Sequence, residues 1–184
     1  VRAIPNMTVI TVADAVETKK AVFAIAEHQG PVYLRLSRAA APVYYSEDMK
    51  FEIGKGITVR DGRDMTIITT GTVLHKALAA AELLEAKGIR ARVVDMHTIK
   101  PIDEELIIEC ARETGAIVTV EEHSVCGGLG SAVAEVLAEH MPVPMTRIGA
   151  TDFAESGDYE QLLVKYGYGP ESIAERCAEV IKRK

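Results

Sequence analysis

"AIVTVEEHSVCGGLGSAVAEVLAEH", residues 116–140, joins a β-branched run to an amphipathic run through a glycine-rich corner. Residues 116–122 suit a buried strand. The stretch from Gly130 to about His140 suits a helix with one apolar face. A strand passing directly into such a helix is the unit of an α/β domain with a mainly parallel sheet. The corner between them has three readings: a phosphate cradle, a catalytic corner, or only the tight passage from strand to helix.

A dinucleotide fingerprint needs G-x-G-x-x-G after a strand and an acidic residue about 20 positions later. Gly128-Leu129-Gly130 supplies the first half, but Val133 stands where the third glycine belongs. Asp152 lies at a tolerable distance, yet beyond the following strand. A Walker loop is excluded, because no Gly-Lys-Ser/Thr follows. The favoured reading is structural: glycine lets the chain turn sharply and leaves free backbone N–H groups at the helix start. Those groups could still hold an anion, a carboxylate or a neighbouring subunit.

Outward from this unit the same alternation recurs. Strands are predicted at 65–71, 91–96 and 143–149. A helix carrying Leu74, Leu78, Ala81 and Leu84 on one face is closed by Gly88. Asp103 caps a further helix whose first turn holds Glu104 and Glu105, where the dipole favours anions, and Gly115 closes it. Two helices finish the chain, one stopped by Gly167 and one opened by Pro170. The fold class is therefore α/β, three-layer, with a mainly parallel sheet and helices on both faces. A partial α/β unit precedes it: a strand at 7–13, a helix capped by Asp14, and a strand at 31–37 after Gly30-Pro31. The expected division is 1–45 for this remnant, 46–56 for a linker, and 57–184 for the main domain. Some 40 residues cannot cover both faces of a sheet, so the first unit is expected to be part of something larger.

Composition narrows the function. Apolar residues make up 48% of the 184, enough for a buried core. Lys and Arg number 21 against 27 Asp and Glu, a net charge of −6. The only basic run is the terminal Lys182-Arg183-Lys184, so a nucleic-acid surface is not expected. Apolar stretches are too short for a membrane span. Cys110, Cys126 and Cys177 are odd in number and widely spaced, which points to a reducing cytoplasm and away from a disulfide framework. No CxxC pair offers zinc its usual spacing. The opening "VRAIPNMTVI" has neither a signal segment nor an initiator Met, so the chain is expected to begin within a longer protein.

Two constellations could carry chemistry. Asp95, His97, Glu121, Glu122 and His123 fall at or just after the ends of two predicted parallel strands, the edge where α/β sheets bind ligands. They could hold a metal, form an acid–base pair, contact another chain, or be solvated and hydrogen-bonded structure. The second is Arg35 and Arg38 in "YLRLSRAAAP". Arginine forks suit phosphate, whereas the structural alternative pairs them with Glu47 or Asp48. Ser37 lies in no GxSxG elbow, so a hydrolase is disfavoured.

Taken in order, the phrases resemble one family. "VRAIPNMTVITVADAVETKKAVFAIAEHQGPVYLRLSR" resembles the end of the pyrimidine-binding domain of transketolases. "GRDMTIITTGTVLHKALAAAELLEAKGIRARVVDMHTIKPID", "VTVEEHSVCGGLGSAVAEVLAEH" and "FAESGDYEQLLVKYGYGPESIAE" resemble their C-terminal domain. The tail pattern favours transketolase over 1-deoxyxylulose-5-phosphate synthase and the beta subunits of 2-oxo-acid dehydrogenases. A non-catalytic binding or assembly module is the alternative from another class.

The resemblance implies a complete enzyme that uses thiamine diphosphate and Mg2+ to move a two-carbon ketol unit between sugar phosphates. It also implies an N-terminal, diphosphate-binding partner chain or domain, and a homodimer. The glutamate that activates the cofactor, and the aromatic stacked on it, would lie upstream of Val1, so no catalytic residue and no bound cofactor or metal are expected in this chain alone. Arg38 matches the family arginine that contacts substrate phosphate, although Ala39 and Ala40 follow it where glutamine and asparagine are common. Val12 likewise stands where proline is usual. The family places no catalytic residue in the glycine corner, which leaves His97, Glu121, Glu122 and His123 as candidates for a subunit contact.

Overall fold

The computed structural model describes all of residues 1–184. Its first unit is β1 (Thr8–Thr11), α1 (Ala15–Glu27) and β2 (Val32–Arg35), with the two strands parallel. Asp14 caps α1 by accepting from the Glu17 amide at 2.8 Å. This sheet gains a third strand from far along the chain. β6 (Thr98–Lys100) pairs antiparallel with β1, giving the order β2-β1-β6.

The second unit is a five-stranded sheet. Its strands are β3 (Ile57–Arg60), β4 (Met65–Thr70), β5 (Ala91–Asp95), β7 (Ile117–Ser124) and β8 (Met145–Ala150), in the order β3-β5-β4-β7-β8. All neighbours run parallel except the edge strand β3, which is antiparallel to β5. Alternation along the strands splits the core in two. Met65, Ile67, Val93, Val118 and Val120 face one side, under α2 (Leu74–Glu85) and α6 (Pro170–Ile181). Ile68, Val94 and Ile117 face the other, under α3 (Glu104–Thr114) and α4 (Leu129–His140). The short α5 (Tyr159–Lys165) completes the first of these layers through Leu163. This is the expected three-layer α/β arrangement. None of its helices is long and apolar enough to cross a membrane.

The end signals act as their chemistry dictates. Asp103 accepts from the Leu106 amide at the start of α3, and Gly115 closes that helix at φ 65, a left-handed conformation that favours glycine. Pro170 opens α6. Two short strands, β3 and β6, were not expected from the sequence.

The junction between the units is not slack. Phe51 and Ile53, from the stretch expected to be a linker, pack on Ile10, Val12 and Ala21 of the first unit. The Phe51 ring also stacks on His97, with centroids 4.1 Å apart. The first unit keeps one apolar side open: Val22 is 50% and Phe23 66% exposed on α1.

Candidate functional site

The glycine corner is an anion site already filled by the chain itself. β7 delivers Glu121 to its mouth, and the carboxylate accepts from the Leu129 and Gly130 amides at 2.8 and 2.7 Å. These are the free N–H groups at the positive end of the α4 dipole. A Cβ on Gly128 would collide with Glu121 Oε2, so glycine is needed there for room, not for φ. Glu121 is 2% exposed. A phosphate at this corner would have to expel it, so of the readings open from sequence the geometry supports the structural passage.

Glu121, Glu122 and His123 line one cavity, with His123 Nδ1 3.8 Å from Glu121 Oε2, but Asp95 and His97 turn away from it. Asp95 turns toward the first unit and accepts from the Tyr45 hydroxyl at 2.8 Å. His97 is fully buried under Phe51, with Nδ1 2.9 Å from the Thr98 hydroxyl; burial pushes its pKa down to about 4, so it is neutral. Glu122 accepts from the Tyr159 hydroxyl at 2.8 Å, and its backbone carbonyl accepts from Arg35 at 2.8 Å. His123 is exposed and donates through Nδ1 to the Ser124 carbonyl. No group of three His, Cys, Asp or Glu side chains comes together as a metal site.

This corrects half of the proposed contact surface. His97 is fully buried under Phe51, with its Nε2 unpartnered, and Glu121 is 2% exposed and held by the Leu129 and Gly130 amides, so neither presents a surface to a partner in this chain. Glu122 and His123 remain at the surface. Strand-end position is legible in a sequence, and burial at that position is not.

Arg38 has a different setting. It lies three residues past β2, on the edge where β1 and β2 end, and its side chain is exposed. The carboxylates suggested as its structural partners are taken: Glu47 by Lys19 at 2.9 Å, and Asp48 by the Ser46 hydroxyl. Its neighbours Ser37 and Ala39 line a cavity of about 390 Å³, closed by Val12, Asp14, Thr18 and Thr72. That cavity opens at the N-terminus of α1, where the helix dipole favours an anion. Asp14, which lines the cavity, already places a carboxylate at that helix end. Its two oxygens are occupied by the amides of Glu17, Tyr44 and Tyr45 at 2.8, 2.7 and 2.8 Å.

Sequence reasoning missed the polar cluster next to this cavity. Glu17, fully buried, accepts from the Ala13 amide at 2.6 Å, and it lies beside Asp95 and Tyr45. The signal was present: Asp14-x-x-Glu17 has the spacing of a capping box, in which the third helical residue reaches back to the chain before the helix.

Comparison with known proteins agrees with this architecture. Residues 54–173 match the family described as "Transketolase, C-terminal domain". A "Putative transketolase C-terminal section" from Methanocaldococcus jannaschii is 48% identical over 187 residues, covering 100% of this chain and 58% of that protein. A "6-deoxy-6-sulfo-D-fructose transketolase subunit" from Clostridium sp. is 45% identical over 184 residues, covering 100% of this chain and 57% of its own length. A solved structure described as "Split gene transketolase, inactive beta4 tetramer" superposes with TM-score 0.96 at 48% identity, over 98% of this chain and 60% of that one. The chain thus spans less than two thirds of each. With a 120-residue family match lying on the five-stranded sheet and its helices, and near-half identity along the whole length, the chain belongs to the transketolase family and carries its C-terminal domain.

Proposed function

We propose that this chain is the C-terminal part of a thiamine-diphosphate- and Mg2+-dependent transketolase, and that it supplies Arg38 as the anchor for the phosphate of a sugar phosphate. The observation that carries the reading is Arg38 itself. It is an exposed arginine without a carboxylate partner, on the edge where two parallel strands end, beside a cavity that meets a helix N-terminus. A guanidinium fork presents several donors to phosphate oxygens.

The cofactor is assigned to the rest of the enzyme. The corner at 127–130 offers no seat for a diphosphate, because Glu121 holds the Leu129 and Gly130 amides. When bound elsewhere, thiamine diphosphate supplies the carbanion chemistry that moves a two-carbon ketol unit. This chain's share is to bind and orient substrate and to complete the assembly. The partner is a diphosphate-binding transketolase chain or domain, and two such pairs form the working dimer. Apolar Val22 and Phe23, uncovered on α1, suit a neighbouring protein surface.

The test compares phosphorylated with non-phosphorylated substrates in the complete enzyme. A charge-assisted contact is worth about 1.5–3 kcal/mol, so Arg38→Ala should lower kcat/KM for the sugar phosphate roughly ten- to hundredfold. The non-phosphorylated substrate should change little. Equal losses on both would return Arg38 to a structural role.

A further inference from the structure

Two carboxyl groups meet inside the chain where its two units join, and phosphate binding at Arg38 makes no use of them. Glu17 comes from α1 and Asp95 from the end of β5, and both are fully buried. One oxygen of each is committed: Glu17 Oε2 to the Ala13 amide at 2.6 Å, and Asp95 Oδ2 to the Tyr45 hydroxyl at 2.8 Å. The other two, Glu17 Oε1 and Asp95 Oδ1, have no amide, hydroxyl or cationic partner. Neither oxygen has a donor to bond, so a proton carried by one of the two neighbouring carboxyls is what would pair them.

The surroundings offer no relief by charge. Asp14 faces the pair from the start of α1, and Tyr45 faces it from the junction segment with Tyr44 behind it. No Lys or Arg forms an ion pair with either carboxyl. Burial, and then the nearby Asp95 charge, hold Glu17 far above the usual carboxylate range. Burial also raises Asp95, against the bond from Tyr45. The bonds run from the Tyr44 and Tyr45 amides to Asp14, from the Tyr45 hydroxyl to Asp95, and from the Glu17 amide to Asp14; a proton between Asp95 and Glu17 would close them into a ring.

We propose that Glu17 and Asp95 share a single proton, and that this proton latches α1 and the Tyr44–Tyr45 segment to the end of β5. With the proton in place the ring is satisfied. Without it, two negative charges face each other in an interior that has no cation, and the junction between the units is weakened.

The direction of the pH effect follows. Glu17 binds its proton more tightly in the folded chain than in the unfolded one. The stabilisation is complete below the ordinary carboxylate range and is lost as pH rises toward the raised folded value. One linked proton changes the folding equilibrium about tenfold per pH unit in that window.

The experiment uses the complete polypeptide and two variants, Glu17→Gln and Asp95→Asn. Each keeps a hydrogen bond between neutral and charged partners but removes the shared proton. Urea unfolding of the wild type between mildly acidic and mildly alkaline pH should weaken by about tenfold per unit relative to Glu17→Gln. The infrared spectrum at mildly alkaline pH should show a protonated-carboxyl stretch that Glu17→Gln abolishes. If Glu17→Gln does not fold, the same divergence is read against Asp95→Asn, with the infrared band on the wild type. Parallel pH profiles, or no protonated carboxyl in the wild type, would overturn the latch.

Discussion

Glu121 is the residue on which the glycine corner turns. A carboxylate held by two amides at 2.8 and 2.7 Å, at 2% exposure, is matched to its backbone cradle as tightly as a bound anion would be. Gly128→Ala would push it out, because the added Cβ occupies the place of Glu121 Oε2. Breaking a buried charge-assisted pair costs about 1.5–3 kcal/mol, so Gly128→Ala should lose about that much in urea unfolding. A loss under about 0.5 kcal/mol would mean that the carboxylate is not anchored there. The corner's role could be half read from the sequence: free helix-start amides called for an anion. That the anion is the chain's own residue, nine positions before Gly130, depends on a strand end and a helix start meeting in space. His97 shows the same limit. A histidine after a strand reads as a surface group until Phe51 is seen lying on it.

Helices and their ends were more legible than strands. Asp14, Asp103, Gly115 and Pro170 all act as the sequence suggests, because capping is decided within a few residues. β3 and β6 were not visible. Each is short, each pairs antiparallel at a sheet edge or across units, and each has a register shift against its partner. "TIK" and "ITVR" are rich in β-branched residues but too short to stand out, and their pairing comes from residues tens of positions away. Caps also differ in what they hold. Asp103 ties the Leu106 amide of α3 at 3.2 Å and, with its other oxygen, the Gly56 amide of the junction at 3.1 Å. Asp158 serves only the Gln161 amide at 3.1 Å, at the surface. Asp103→Ala should therefore cost more than Asp158→Ala, about 2 kcal/mol against about 1 or less, when melting is followed by circular dichroism. Equal costs would show that the Gly56 bond adds nothing.

At the scale of the whole molecule, two sheets are bound into one piece. β6 crosses from the second unit to complete the first, Phe51 and Ile53 fill the seam, and the Glu17–Asp95 pair sits inside it. The division into remnant, linker and domain therefore describes the order of the chain better than its packing. The family match begins at residue 54, within the stretch read as a linker. The architecture was legible because α/β alternation is periodic and repeated. The role proposed for Arg38 rests on resemblance, since an isolated arginine after a strand carries no signal of its own. The central claim is that this chain contributes to ketol transfer only within a larger assembly. Its most direct test is an assay with a ketose phosphate donor, an aldose phosphate acceptor, thiamine diphosphate and Mg2+, run on the 184-residue chain alone and again after adding a purified diphosphate-binding transketolase subunit. The account predicts no transfer by the chain alone and transfer on mixing; turnover by the isolated chain, or none in a mixture that has demonstrably associated, would contradict it.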